Sequence, residues 1–263
     1  MAPYEIIDFH THPFPDRAHN ICNHAEFCGM GVENTREVFR GLEIDRICGS
    51  VIRFSKNPKE DALERMRENN DIALQLREQY GDFYVPGFHV HPGFVEESLE
   101  EIDRMDKAGV KLVGELVPYC DGWGEKTYAS EEFSVLLDEI TRRKMVVSFH
   151  SMDEDAMDEM VRSHPDTILV AAHPGEYNEF MRHVERAKWS ENYYIDLSGY
   201  GVFRYGMLRR AIDEMGADHI LFGSDFPTCS PAMYLGAVTM DGLITEEERE
   251  KILSLNAKRL LGL

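Results

Sequence analysis

Basic residues are scarce in this chain, and long apolar runs, paired cysteines and glycine-rich phosphate turns are missing. Lys and Arg total 28 against 48 Asp and Glu, a formal net charge of −20. A field of that sign repels phosphate backbones and anionic lipid, so neither nucleic acid nor a membrane is expected as a partner. No apolar stretch approaches the ~20 residues that cross a bilayer. The start, Met1-Ala2-Pro3-Tyr4-Glu5, shows no basic region followed by an apolar one, so no signal peptide is expected. Five cysteines (Cys22, Cys28, Cys48, Cys120, Cys229) form no CxxC pair. Their odd number points to reduced thiols and a cytoplasmic location. There is no repeat, low-complexity tract or Pro/Gly linker, so a single domain over residues 1–263 is expected.

What is present is a regular alternation. Hydrophobic residues make up 43%, enough for a large core, and 263 residues fit one (β/α)8 TIM barrel, which takes about 250. Strands are expected at 4–10, 46–54, 83–90, 110–116, 145–150, 167–173, 193–198 and 219–225. The stretch 59–80 places Ala62, Met66, Ala73, Leu76 and Tyr80 on one helical stripe, with Gly81 able to end it. Ser151 with Glu154, and Thr245 with Glu248, have the spacing of capping boxes. Eight strands alternating with helices argue for a closed parallel barrel. A doubly wound open sheet is the alternative, but it needs a glycine-rich turn where Asp8-Phe9-His10-Thr11-His12-Pro13 stands. Residues 11–32 and 117–130 form loops longer than the connections require, on the side of the barrel that shapes substrate pockets.

Metal-type side chains fall at the expected strand ends. His10 and His12 end the first strand, Glu115 the fourth, His150 the fifth, His173 the sixth and Asp225 the eighth. Residues two apart on a strand share a face, so His10 and His12 can reach one ion. Asp8 shares their parity, Ser148 and Val146 share that of His150, Ala171 and Leu169 that of His173, and Gly223 and Leu221 that of Asp225. Polar groups at strand ends above small or apolar ones match the layering of a barrel interior. Any single one reads more readily as a solvated strand end; together they do not. Glu115 either joins a metal or pairs with Lys111.

Several other residues have two readings. Arg53 either clamps a substrate carboxylate or makes a surface ion pair. His89 and His91 repeat the HxH spacing after the third strand and read as pocket lining or loop structure. Tyr119, Trp123 and Arg204 follow strands four and seven, and Tyr119 is a candidate for substrate contact. His19, Cys22, His24 and Cys28 match no closed four-ligand pattern and read as a lid loop. Ser224 points away from the expected site by parity, and Cys229 lacks an activating base.

The ordered set HxH, His, His and Asp on strands one, five, six and eight resembles the amidohydrolase superfamily, in its branch of small amidohydrolase-related TIM barrels. His10, His12, His150, His173 and Asp225 match those positions, and the ending 256–263 is similar to that family's C-terminal helix. The resemblance implies a divalent cation among His10, His12, His150 and Asp225, with His173 as ligand or catalytic group. Zinc is expected first, with manganese, iron or cobalt as alternatives. Glu115 offers a second site, since binuclear members bridge metals from strand four and TatD-type members show a similar Gly-Glu pair.

A bound cation lowers the pKa of its water from far above neutrality to about 7. Asp225 is suited to move that proton and His173 to polarise a carbonyl. Hydrolysis of a small amide, ester or lactone follows. Non-oxidative decarboxylation of an unsaturated or aromatic acid is the alternative, as in relatives resembling aminocarboxymuconate-semialdehyde decarboxylase. A metal-free binding barrel is the reading of a different class. The expected partner is a small-molecule substrate, with a homodimer left open. Activity is expected to fall in acid as ligating imidazoles protonate; a flat profile down to about pH 5 would argue against imidazole ligation.

Overall fold

The computed structural model describes residues 3–22, 33–201 and 204–263. Eight short strands run in chain order: β1 Ile7–Asp8, β2 Arg46–Ser50, β3 Tyr84–Phe88, β4 Leu112–Leu116, β5 Val146–His150, β6 Ile168–Ala172, β7 Tyr193–Asp196 and β8 Ile220–Leu221. Each pairs in parallel with the next, as in Ile7 with Arg46, Leu112 with Val146 and Ile195 with Ile220. The ends are joined as well. Phe9 N donates to Phe222 O (2.8 Å), Asp225 N to His10 O (2.8 Å) and His12 N to Phe226 O (2.6 Å). These bonds connect the first strand's exit to the last strand's exit, and the sheet curls into the expected (β/α)8 barrel.

Helices fill the crossovers. They are α1 Thr35–Phe39, α2 Ala62–Tyr80, α3 Val95–Lys107, α4 Pro118–Asp121, α5 Glu131–Arg142, α6 Glu154–Ser163, α7 Tyr177–Trp189 and α8 Met207–Met215. After β8 come α9 Pro231–Thr239, α10 Glu246–Glu250 and α11 Asn256–Leu261. Among the described residues no helix is long and apolar enough to cross a membrane. The predicted stripe of α2 is buried, and Gly81 at φ 58° ends it with its N–H on Arg77 O. Thr245 and Glu248 form the expected capping box. Ser151 and Glu154 do not: the cap of α6 is Asp153, whose carboxylate accepts from Ala156 N, while Ser151 donates to Ala172 O. A carboxylate adjacent to the first turn displaces the serine two residues earlier.

The core has two layers. The inner one takes Ile7, Phe9, Cys48, Leu112, Val146, Val170, Tyr194 and Leu221 from the strands, plugged by Ala257 and Leu261 of α11. The outer one takes the alternate strand residues, such as Ile47, Val113, Val147, Leu169, Ala171 and Ile220, against the helices. Burial on both faces is why runs such as Ile168–Ala172 are continuously apolar. Each fully buried aliphatic or aromatic side chain contributes about 1.5–3 kcal/mol, so this packing sets the barrel before any polar contact does.

One buried polar group in the outer layer gives a stability signature. His183 of α7 is fully buried with Nδ1 2.7 Å from the Tyr193 hydroxyl. Burial, then Arg186 and His173, push its pKa down to about 3. An unfolded histidine titrates near 6.5, so between those values the unfolded chain holds the extra proton. His183 therefore supports folding fully above about pH 6.5 and loses that support as pH falls toward 3. Urea unfolding of His183→Asn between pH 7 and 5 should show a shallower loss of stability than wild type. Equal slopes would refute this.

Candidate active site

Four imidazoles and two carboxylates from five strands meet at the C-terminal end of the barrel. His10 Nε2 lies 3.3 Å from His12 Nε2, 3.3 Å from Glu115 Oε2 and 3.6 Å from Asp225 Oδ1. His12 Nε2 lies 3.2 Å from Glu115 Oε2 and 3.4 Å from Asp225 Oδ1. The other Glu115 oxygen faces His150 Nδ1 at 3.1 Å and His173 Nε2 at 3.4 Å. Every residue placed at the metal position by sequence is thus in one cluster. Ligand atoms of His10, His12 and Asp225, and separately of His10, Glu115 and His173, lie within 4.8 Å of one another.

Local backbone irregularity brings in half of them. Leu169 and Ala171 face the outer core, so alternation would carry His173 outward, contrary to the parity expected from sequence. Its left-handed φ of 64° turns it inward. Glu115 shares parity with Val113, which is also outer. A bulge intervenes: Val113 pairs with Val147 and Leu116 with Phe149, so two residues face one. Gly114 makes this fold possible, because a Cβ there would overlap the Ser148 carbonyl oxygen. Asp225 has φ 58°. On β1 the inner layer takes Ile7 and Phe9, and Asp8 instead accepts from His10 N (3.3 Å) and Ser224 N (3.0 Å). Regular pairing ends at Asp8, and strand alternation ends with it.

Two residues that sequence reasoning passed over complete the cluster. Asp196, fully buried at the end of β7, holds His10 Nδ1 at 2.8 Å. Ser198 Oγ lies 3.0 Å from His10 Nδ1 and 3.0 Å from His173 Nδ1 and donates to Asp196 Oδ1. The usable signal was a lone carboxylate closing the apolar run Tyr193-Tyr194-Ile195-Asp196, on the parity of the inner-layer Tyr194.

The electrostatics are those of a packed ionic cluster. Burial opposes charge on Glu115, yet the imidazoles of His10, His12 and His150 hold its carboxyl well below the usual range. Burial likewise opposes ionised Asp225, and His12, His10 and His173 lower it. Burial alone would depress the histidines. Asp196 and Glu115 overcome it at His10, whose pKa lies well above its ordinary value; Asp225 and Glu115 lift His12 to about 9. Glu115 also raises His173. Unpaired, each such buried charge costs several kcal/mol. The carboxylates therefore demand cations: either imidazolium protons or a metal ion that leaves the rings neutral. A donor set of imidazole nitrogens and carboxylate oxygens suits zinc and similar divalent cations.

His10, His12 and Glu115 are nearly sealed, with side-chain exposures of 1%, 2% and 3%, whereas His150, His173 and Asp225 show 23%, 14% and 13%. Those three form the floor of a cleft of about 450 Å³, with Ser151, Gly199, Tyr200, Thr228 and Cys229 among its walls. Tyr119, 58% exposed, makes a T-shaped ring contact with His150 at 5.3 Å. A larger groove of about 950 Å³, past Asp16, His19 and Glu68, contains none of the cluster. The smaller cleft is the one that reaches the cluster.

Other candidates fall elsewhere. Arg53 is taken by Glu68 of α2 at 2.8 Å, the ion-pair alternative. Lys111 pairs with Asp106, leaving Glu115 to the histidines. His89 locks its loop through Val51 O (2.9 Å), Asn70 and Asp121, and His91 through Gly93 N and Ser98. Trp123 is buried against Tyr128 and Phe133. Arg204 pairs with Glu176. His19 binds Asp16 at 2.8 Å; His24 and Cys28 lie outside the described residues. Ser224 is buried and accepts from Phe226 N, and Cys229 Sγ is 4.0 Å from Asp225.

An eight-stranded parallel barrel with a histidine–carboxylate cluster at its C-terminal mouth defines a class of enzyme scaffold. The chain belongs to the amidohydrolase family, whose model matches residues 7–263. No curated protein matches it. Among solved structures it is similar to 2,6-dihydroxybenzoate decarboxylase from Rhizobium, with 18% identity, 98% of each chain covered and a TM-score of 0.74. A dihydroxybenzoic acid decarboxylase from a Polaromonas species, solved with manganese and an inhibitor, aligns at 15% identity with 98% and 97% covered and a TM-score of 0.69. A probable 2-pyrone-4,6-dicarboxylic acid hydrolase from Acinetobacter baumannii aligns at 15% with 99% and 100% covered and a TM-score of 0.68.

The mutual support of these charges is measurable. In metal-free Glu115→Gln, the imidazoles of His10 and His12 should titrate at lower pH than in wild type, followed by NMR. Unchanged midpoints would mean that Glu115 does not hold their protons.

Proposed function

We propose that this protein is a divalent-metal-dependent hydrolase of a small amide, ester or lactone. The observation that carries this reading is the convergence of His10, His12, Glu115, His150, His173 and Asp225 below one cleft. His10, His12, His150 and Asp225 would hold one cation, with Glu115 able to share it or hold a second. Zinc is the first candidate by donor chemistry; a similar barrel was solved with manganese. When bound, the cation supplies Lewis acidity that makes water a nucleophile near neutral pH.

The residues then divide the work by exposure. Asp225, reached from the cleft, takes the proton of the attacking water and returns it to the leaving group as the acyl bond breaks. His173, also on the floor and raised in pKa by Glu115, donates a hydrogen bond from Nε2 as the imidazolium to the carbonyl oxygen as it gains charge. His10 and His12, sealed beneath, exclude water from the far side of the cluster. Tyr119, in contact with His150, offers an aromatic edge to the substrate.

A second reading is non-oxidative decarboxylation. Its support is that similar barrels include the Rhizobium and Polaromonas decarboxylases as well as the Acinetobacter hydrolase. There the bond to the carboxylate carbon breaks, carbon dioxide leaves and an acidic group delivers a proton to the ring or chain carbon. Carbon dioxide trapping with aromatic acids against ring opening with lactones separates the two.

Protein purified without chelators should hold stoichiometric divalent metal. Asp225→Asn should keep the fold by circular dichroism and lower turnover by about 10²–10⁴-fold, since an amide cannot carry the proton. Metal-free active wild type, or wild-type turnover in the variant, would overturn this reading.

A further inference from the structure

We propose that Ser198 and Asp196 are positioning residues that set which ring nitrogen of His10 and His173 faces the cluster. The inference starts from proton accounting. Asp196 receives hydrogen bonds at both of its carboxyl oxygens. Its Oδ2 sits 2.8 Å from His10 Nδ1, so that nitrogen carries the proton and Nε2 is left to face His12, Glu115 and Asp225. Its Oδ1 receives both the backbone N–H (2.9 Å) and the hydroxyl of Ser198. Ser198 has a single hydroxyl proton, and Asp196 takes it. The serine oxygen can then only accept from His173 Nδ1 at 3.0 Å, which leaves His173 Nε2 to face Glu115.

The segment is built for this task. Asp196 and Ser198 are both fully buried, so no water competes for these bonds. Gly199 follows at φ 63°, and a Cβ there would overlap His173 Nδ1. Only glycine lets the chain pass the ring edge closely enough for Ser198 to reach it. Gly223 across the barrel leaves matching room, since a Cβ would come 2.7 Å from His10 Cβ and 3.1 Å from Asp196 Oδ1. One strand end thereby orients histidines from two others. Partners beyond the ligands fix imidazole tautomers in this way in metal sites generally. The metal consequence rests on the proposed function; the tautomer consequence does not.

The test uses two readouts. In metal-free, ¹⁵N-histidine-labelled protein, raised in pH until the rings are neutral, NMR should show His10 and His173 protonated at Nδ1. Ser198→Ala should shift His173 toward Nε2 protonation while His10 keeps its tautomer through Asp196, and Ser198→Thr should restore His173. An unchanged His173 tautomer in Ser198→Ala overturns the proposal. Separately, zinc affinity by chelator competition should weaken about 10–100-fold in Asp196→Asn, whose amide can offer an N–H to His10 Nδ1. Equal affinity in Asp196→Asn and wild type overturns it too. Absence of zinc binding in wild type would instead overturn the proposed function, and the tautomer readout would still decide this inference.

Discussion

The backbone bonds that close the barrel are also the bonds that assemble the site. Asp225 N donates to His10 O, and His12 N donates to Phe226 O. The two chain ends that seal the ring are therefore the two that bring Asp225 Oδ1 to 3.6 and 3.4 Å from the HxH rings. A barrel that opened between β1 and β8 would lose its cluster at once. Closure and assembly of the cluster are one contact, and apolar packing of the inner layer lies beneath it.

Above that layer the molecule concentrates charge where water is scarce. Glu115 and Asp196 are buried and Asp225 is half-buried, all beside imidazoles, and no apolar neighbour could compensate them. Such a cluster is unfavourable by itself and depends on mutual pairing or a cation. Backbone departures sit in the same place: left-handed φ at His173 and Asp225, and a bulge at Glu115. Regular strand geometry serves packing below, and irregular geometry aims the functional groups on top, a division common at active sites.

This division explains what could be read in advance. All eight strands fall inside their expected spans, because two-sided burial makes most of them rich in apolar residues, as in Ile168–Ala172. The helical stripe of α2 and the Thr245 cap follow from spacing alone. The alternation rule fails for His173, for Glu115 and for the HxH pair, whose inner-layer neighbours are Ile7 and Phe9, although all of these residues lie in the cluster. Their strand-end position was informative and their parity was not, since a single positive φ or an inserted residue inverts the face. The Ser151 cap failed for a local reason, competition from Asp153. Arg53 had two partners open to it, and only the folded position of Glu68 chose between them.

Sequence by itself determined the number and order of strands, the acidic surface and the set of imidazoles and carboxylates available to the mouth. These are local properties, carried by hydropathy, spacing and residue type. Tertiary structure decided which oxygen faces which nitrogen. It made Asp196 and Ser198 neighbours of His10 and His173, at sequence separations of 186 and 25 residues. It also divided the sealed residues of the cluster from those open to the cleft. Those distinctions depend on ring closure and on backbone torsions at a few residues, and neither is encoded in any short stretch of chain.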